Sequence, residues 1–229
     1  MHLQRIVGRL FRGGLMLMPV LLASSAAPAR ADFVLEALNV GPLAVGSSGS
    51  FVVILTDTAT PPTGPFDVNA FNVQLTLDAG SGITFTGADI GAVTANFIFD
   101  GITQFSPGFQ ANVANGGLQI DFDDLGDMPS DSRTFNSSGG PISWVLGRVF
   151  FTIAPDASAG TSIVTVTQYS DVTSPDGDSF KNPPTSLTLI NGSITTVTAV
   201  PEPSSLILTG LGAGCIVVSL RRRHRAAVT

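Results

Sequence analysis

Apolar and polar residues alternate along many short stretches of this chain, and this period of two is the feature that most limits its fold. In the stretch FNVQLTLD, the apolar residues Phe71, Val73 and Leu75 are separated by the polar residues Asn72 and Gln74. Successive side chains of a β-strand point to opposite faces of a sheet, so this segment has one face for a core and one for water. The pattern predicts a half-buried strand.

Similar runs, rich in Val, Ile, Thr and Phe, occur along the rest of the chain before Ser204. They cover Phe33 to Val40, Ser50 to Asp57, Ile83 to Thr86, Leu118 to Phe122, Gly147 to Ile153, Ser162 to Gln168 and Leu187 to Val197. Turns rich in Gly, Pro, Asp and Ser separate the runs, and no helical period interrupts them. About eight or nine short strands without helices predict an all-β fold, an antiparallel β-sandwich of the jelly-roll type, over residues 32–197.

The charge of this central segment excludes one large class of function. Between Asp32 and Val200, three basic residues (Arg133, Arg148 and Lys181) stand against sixteen acidic ones, which gives a formal charge of −13. Nucleic-acid affinity comes largely from Lys and Arg side chains that replace condensed counterions. We therefore expect no nucleic-acid partner.

Histidine and cysteine are missing from the same segment. The chain contains only His2, His224 and Cys215, and all three lie outside Asp32 to Val200. A Ser-His-Asp triad, a Cys-His pair and a zinc site of the usual ligands cannot be built without them, and neither can a disulfide. A pair of aspartates could cleave glycosides, but no pair is singled out by its position. The sequence predicts a non-enzymatic domain that depends on its hydrophobic core.

The first 31 residues have the order of parts found in a secretory signal peptide. Basic residues precede an apolar run from Leu15 to Leu22, and Ala29 and Ala31 form a small-x-small pattern before Asp32. We expect a signal helix over residues 1–31, with signal peptidase as the partner that cleaves before Asp32.

The other end of the chain has the features of a membrane anchor. Residues 198–203 form a Pro-containing linker, and the next 17 residues, from Ser204 to Leu220, carry no charge. As a helix they would extend about 25 Å, enough for a thin bilayer. The basic residues in 221–229 favour the cytoplasmic side, so this segment predicts a transmembrane helix, 204–220, at the inner membrane.

These terminal residues resemble a known sorting signal. The order of Val200, Pro201, Glu202 and Pro203, then an apolar helix, then Arg221, Arg222 and Arg223 is similar to the PEP-CTERM signal of exported bacterial proteins. The resemblance implies export, transient anchoring in the inner membrane and handling by an exosortase, a membrane sorting enzyme. It also implies a final place at the cell surface or outside a Gram-negative-type cell, in association with extracellular polysaccharide and biofilm matrix.

The central segment resembles a second group of families. The stretch VGSSGSFVVILTDTATPPTGPFDVNAFNVQLTLDAGSGITFTGADIG and the later VLGRVFFTIAPDASAGTSIVTVT are similar to strands of cohesin-like and carbohydrate-binding-module-like jelly rolls. Those families imply adhesion or scaffolding. The likeness lies in alternation and turns, so it implies a fold and transfers no binding residue.

A run of aspartates is the candidate metal site. Asp121, Asp123, Asp124 and Asp127 fall within the stretch DFDDLGD. Calcium prefers several oxygen ligands, which acidic loops at the ends of sandwiches can supply. Period two puts Asp121 and Asp123 on one strand face, with Asp124 and Asp127 starting the following loop. Two hypotheses stay open: a calcium site, or a solvated acidic edge that keeps sheets from associating.

Trp144 is the candidate sugar platform. It is the only Trp of the chain and lies beside the loop NSSGGP. Together these observations predict a non-enzymatic surface or matrix protein whose partners include extracellular polysaccharide or other matrix proteins. A carbohydrate-binding module that uses Trp144 and a calcium-dependent adhesin are the alternatives.

Overall fold

The computed structural model describes residues 31–58, 65–91, 96–104, 108–135, 141–182 and 185–198. The predicted signal helix up to residue 30, with Ala29, and the region from residue 199 onward lie outside the described residues. That second region contains the Pro-Glu-Pro residues, the predicted transmembrane helix and the basic tail. In the described ranges, no helix is long and apolar enough to cross a membrane.

The described residues form two main sheets that pack face to face. The first sheet has five strands: β1 (Ala31–Ala37), β3 (Ser48–Asp57), β6 (Ile83–Asp89), β10 (Ile142–Ile153) and β13 (Thr185–Ile190). Their order across the sheet is β13-β1-β3-β10-β6. β3 and β10 are the longest strands among the described residues, and they pair antiparallel along most of their length.

The second sheet has seven strands and contains most of the alternating stretch FNVQLTLD, in β5. Its strands are β2 (Val40–Ala44), β5 (Ala70–Leu77), β7 (Gln110–Ala114), β8 (Gln119–Leu125), β11 (Gly160–Val166), β12 (Asp171–Thr173) and β14 (Gly192–Val197). Six of them lie in the order β2-β14-β11-β5-β8-β7, and β12 extends the pairing of β11 along β5. A ribbon of β4 (Phe66–Val68) and β9 (Arg133–Phe135) completes the fold.

The all-β class is confirmed, but the strand number is higher than the sequence analysis predicted. The described residues contain fourteen strands, in place of eight or nine. Three of the additional strands, β4, β9 and β12, have only three residues each. A run of three residues is too short to show alternation, so tertiary pairing alone defines these strands.

The pairing is also not wholly antiparallel. β1 runs parallel to β13, and β14 runs parallel to β2. The predicted single run from Leu187 to Val197 is in fact two strands, which belong to different sheets. The chain crosses between the sheets at Asn191 and Gly192, where the Asn191 side-chain oxygen accepts a hydrogen bond from the Val166 N–H at 2.9 Å.

The inner faces of the two sheets make one hydrophobic core. The alternating residues of β5 and β3, among them Val73, Leu75 and Leu55, are fully buried. Phenylalanines form clusters in this core: Phe33 contacts the rings of Phe66, Phe135 and Phe180, and Phe71 contacts those of Phe97, Phe99 and Phe122. Each buried side chain of this size stabilises the fold by roughly 1.5–3 kcal/mol.

Gly192 occupies the crossing between the sheets, and its replacement tests this topology. A Cβ atom added to Gly192 would lie 2.5 Å from the carbonyl oxygen of Ala37, a backbone atom that cannot move aside alone. We expect Gly192→Ala to lower the free energy of unfolding by about 1–3 kcal/mol because it overpacks this contact. Urea denaturation followed by Trp144 fluorescence measures the change.

Gly41→Ala is the matched control, because nothing lies within 4 Å of an added Cβ at that position. Equal stability of the two variants would contradict the close approach of β14 to β1.

Candidate functional site

The outer face of the second sheet carries a continuous set of amides and carboxylates. Strand register places Asn72 and Gln74 of β5 opposite Asp123 and Asp121 of β8, and Asp171 of β12 opposite Asn72. Their neighbours Phe71, Val73 and Phe122 point into the core, so period two turns these polar side chains outward. We call this set the amide face: Asn72, Gln74, Gln119, Asp121, Asp123 and Asp171.

Hydrogen bonds between side chains fix the centre of the amide face. The Gln74 amide donates to Asp121 Oδ1 at 2.7 Å, and the Gln119 amide donates to Asp121 Oδ2 at 2.8 Å. Asn115 donates in turn to Gln119 Oε1 at 2.7 Å. Because both oxygens of Asp121 accept hydrogen bonds, the row across β8 and β5 is held in one arrangement without a bound ion.

The turn between β11 and β12 is attached to the same row. The Thr167 hydroxyl donates to Gln74 Oε1 at 2.8 Å, and the Ser170 hydroxyl oxygen accepts from the Gln74 N–H at 2.9 Å. Between these two residues lies Tyr169, the only Tyr of the chain, which is 68% exposed. The structure therefore holds an exposed aromatic side chain beside the amide face, at a position the sequence analysis missed.

The four aspartates of the candidate metal site are divided between different environments. Asp121 and Asp123 do share the outer face, as predicted. Asp124 is not in a loop: β8 continues to Leu125 by pairing with Ala70, so Asp124 lies within the strand and faces inward. Asp127 lies beyond the strand end, where its N–H donates to the Thr103 carbonyl at 3.0 Å.

This division does not bring the four carboxylates together at one position, and β8 is not an edge strand, since it pairs with β5 on one side and with β7 on the other. Among the residues that the structure describes, no group of three or more His, Cys, Asp or Glu side chains is placed to hold one metal ion. The carboxylates of Asp121 and Asp124 are turned to opposite sides of the same strand.

Asp124 has the most perturbed carboxyl group in the described part of the chain. It is 3% exposed, and its Oδ2 has no hydrogen-bond partner, whereas its Oδ1 accepts from the Leu125 N–H at 2.8 Å. Burial raises the pKa of Asp124 to about 6; the Leu125 hydrogen bond lowers it and the charge of Asp123 raises it by smaller amounts.

Trp144 is partly buried and has one ring face covered. It lies on β10 opposite Leu55, and it packs against the core. The Arg133 guanidinium lies 4.4 Å from the ring centroid and also donates to the carbonyl of Ile98 at 2.6 Å. A sugar ring at Trp144 would have to use the remaining face, so the platform stays a hypothesis.

The raised pKa of Asp124 predicts a stability that depends on pH. The folded protein holds this proton more tightly than the unfolded chain, so stability falls as the pH rises from the ordinary value near 3.8 through about 6. Asp124→Asn keeps the acceptor for Leu125 and removes the charge. At about pH 8 we expect this variant to be more stable than the parent by roughly 1–3 kcal/mol, and near pH 4 the difference should vanish.

Urea denaturation at both pH values measures this effect, and Asp78→Asn, at an exposed position, serves as the control. A stability difference for Asp124→Asn that does not change with pH would show that the carboxyl group titrates normally.

The separation of the four aspartates makes a second prediction. Since their oxygens do not converge, we expect the melting temperature of the chain to be the same in millimolar calcium, in chelator and in magnesium at matched ionic strength. Differential scanning calorimetry checks this. A melting temperature that rises in calcium but not in magnesium, and no longer rises in the Asp123→Asn variant, would restore the calcium hypothesis.

Comparison with protein families identifies one match. Residues 199–223 match the PEP-CTERM protein-sorting motif, which confirms the resemblance seen at Pro201, Glu202 and Pro203. The motif implies processing by an exosortase and an exported protein sorted to the membrane or cell surface. No curated protein matches the chain.

Solved structures similar to this one are cohesins. The seventh type I cohesin of ScaB from Pseudobacteroides cellulosolvens is 14% identical with a TM-score of 0.51, covering 74% of this chain and 95% of that one. A type I cohesin from Clostridium thermocellum, solved in a cohesin–dockerin complex, is 13% identical (TM-score 0.51; 72% and 99% covered). The sixth cohesin of scaffoldin B from Acetivibrio cellulolyticus, solved with a dockerin, is 15% identical (TM-score 0.51; 72% and 99% covered). At these identities the likeness shows the fold: the chain is a cohesin-like β-sandwich that carries a PEP-CTERM sorting motif.

Proposed function

We propose that this protein is an exported, non-enzymatic component of the cell surface or extracellular matrix with a structural or adhesive role. The observation that carries the proposal is the placement of the sorting motif directly after the sandwich. The motif begins at residue 199, and β14 ends at Val197. An enzyme that cuts near Pro201, Glu202 and Pro203 would therefore release the whole sandwich with almost no linker attached.

The make-up of the sandwich supports a binding role without catalysis. The segment from Asp32 to Val200 has no His or Cys, so it lacks the usual nucleophile-activating bases and thiol nucleophiles. The carboxyl group of Asp124, whose pKa burial raises to about 6, is buried on the inner face of β8. The surface offers an ordered polar face, which suits adhesion.

The proposal includes a signal peptide of residues 1–31 and a transient anchor of residues 204–220. β1 begins at Ala31, and the Asp32 carboxylate accepts a hydrogen bond from the Ser186 hydroxyl of β13. Cleavage by signal peptidase before Asp32 would leave this contact intact. The anchor and the basic residues 221–229 would then hold the domain at the inner membrane until processing.

The adhesive partner is proposed to be extracellular polysaccharide. Two of the similar cohesins were solved in complexes with dockerins, but the identities of 13% and 15% carry only the fold to this chain. As a carbohydrate site, the amide face with Tyr169 has more support than the Trp144 platform, because Arg133 covers one face of the Trp144 ring. A calcium-dependent adhesin has less support, since the aspartates of β8 are turned to opposite sides.

Mass spectrometry of the C-terminus tests the sorting step. We expect the protein recovered from the medium to end between Val200 and Pro203, and Pro201→Ala and Glu202→Ala to keep the chain at full length in the membrane fraction. The physical reason is that both substitutions change the motif while leaving the apolar anchor unaltered.

Asp156→Ala is the matched control, because Asp156 is an exposed acidic residue in a turn outside the motif. Full-length membrane protein in the parent and in every variant would contradict release and make the segment a permanent anchor.

A further inference from the structure

The strands of the second sheet carry acidic side chains without any basic ones. Its seven strands contain four aspartates, Asp121, Asp123, Asp124 and Asp171, and no Lys or Arg. Of the basic residues that the structure describes, Arg133 lies in β9 and Arg148 in β10, where it pairs with Asp89 at 3.2 Å. Lys181 lies outside the strands, and its ammonium group donates to the Gln168 carbonyl at 2.6 Å. The outward carboxylates of this sheet are therefore not neutralised by cations of its own strands.

Two of these carboxylates flank an amide at a spacing set by the sheet. Asp171, Asn72 and Asp123 are register partners on three adjacent strands, β12, β5 and β8. Two strand spacings separate the outer pair by about 10 Å, roughly the span of a disaccharide. A shallow depression of about 250 Å³ lies over these three residues, with Leu125 and Thr173 at its border.

The chemistry of the face distinguishes between classes of partner. Protein interfaces have a core rich in aromatic and other apolar side chains and poor in charge. The amide face consists of amides and carboxylates, ordered by the hydrogen bonds to Asp121, and Tyr169 supplies one exposed ring beside it. Ordered polar groups next to an aromatic ring suit the hydroxyl groups and the apolar ring faces of a sugar.

The negative charge of the amide face distinguishes between classes of polysaccharide. An anionic polysaccharide would be repelled by Asp123 and Asp171, and a neutral one would leave these two carboxylates without a counter-charge. A polymer with ammonium groups would form charge-assisted hydrogen bonds with both.

We propose that the amide face binds a polysaccharide that carries free amino groups, such as a deacetylated amino-sugar polymer. Its ammonium groups pair with Asp123 and Asp171, its hydroxyls bond to Asn72, and a sugar ring packs on Tyr169. This assignment rests on the proposed adhesive function and names the class of ligand for it.

Calorimetric titration of the full chain in mild detergent tests the assignment. The probes are a glucosamine oligomer with free amino groups and the fully N-acetylated oligomer of equal length. We expect binding of the first only, weakened at least about tenfold by Asp123→Asn and by Asp171→Asn, because each removes one charge-assisted contact. Asp171→Asn retains the oxygen that accepts from the Val172 N–H and the Ser179 hydroxyl.

Three further variants locate the contact. Tyr169→Ala should weaken binding by about tenfold through loss of ring packing. Asp156→Asn, which removes an equal charge from an exposed turn, should leave affinity unchanged. Trp144→Phe should also bind as the parent does, and loss of binding in this variant would overturn the proposal in favour of the Trp144 platform.

Other outcomes would also overturn it. If the acetylated oligomer bound as tightly as the free-amino oligomer, the amino groups would not be what the face recognises. If Asp156→Asn weakened binding as much as Asp123→Asn does, the effect would come from net charge and not from this face. If a lysine-rich peptide bound more tightly than the glucosamine oligomer and its affinity were unchanged by Tyr169→Ala, the face would be assigned to a protein partner. None of these results changes the C-terminal mass, so failure of the glycan assignment is distinguishable from failure of the sorting proposal.

Discussion

Burial of alternating side chains between two sheets is the interaction on which the rest of this structure depends. The sandwich has no cysteine, so no disulfide constrains its unfolded state, and its stability comes from inner-face residues such as Phe33, Leu55 and Val73. The same alternation that turns these side chains inward turns Asn72, Gln74 and Asp121 outward. The core and the candidate binding surface thus both follow from the alternation of apolar and polar residues along the strands.

The sequence was sufficient to predict the long strands but not their neighbours. Alternation is a local property, so it marks β3 and β5 clearly and contains nothing about which strand lies beside which. The parallel pairing of β1 with β13 and the change of sheet at Asn191 depend on contacts between distant parts of the chain. Asp124 illustrates the same limit: its acidic side chain indicated a loop, but pairing of β8 with β5 extends the strand past it.

The candidate site was predictable to a similar degree. The PEP-CTERM motif is a linear signal, and comparison confirms it. Asp121 and Asp123 were placed correctly on one face because period two determines that. Tyr169 could not be found this way, because its position depends on the bonding of its turn to Gln74 from another strand. Its one available signal was that it is the single Tyr of the chain.

The central claim is that the sorting motif delivers a folded, polar-faced sandwich to the outside of the cell. An epitope inserted between Ala79 and Gly80, in the exposed turn after β5, tests it most directly, since an added side chain there meets nothing within 4 Å. The account predicts that antibody detects the epitope on intact cells or in the medium. Detection only after both membranes are permeabilised would contradict it.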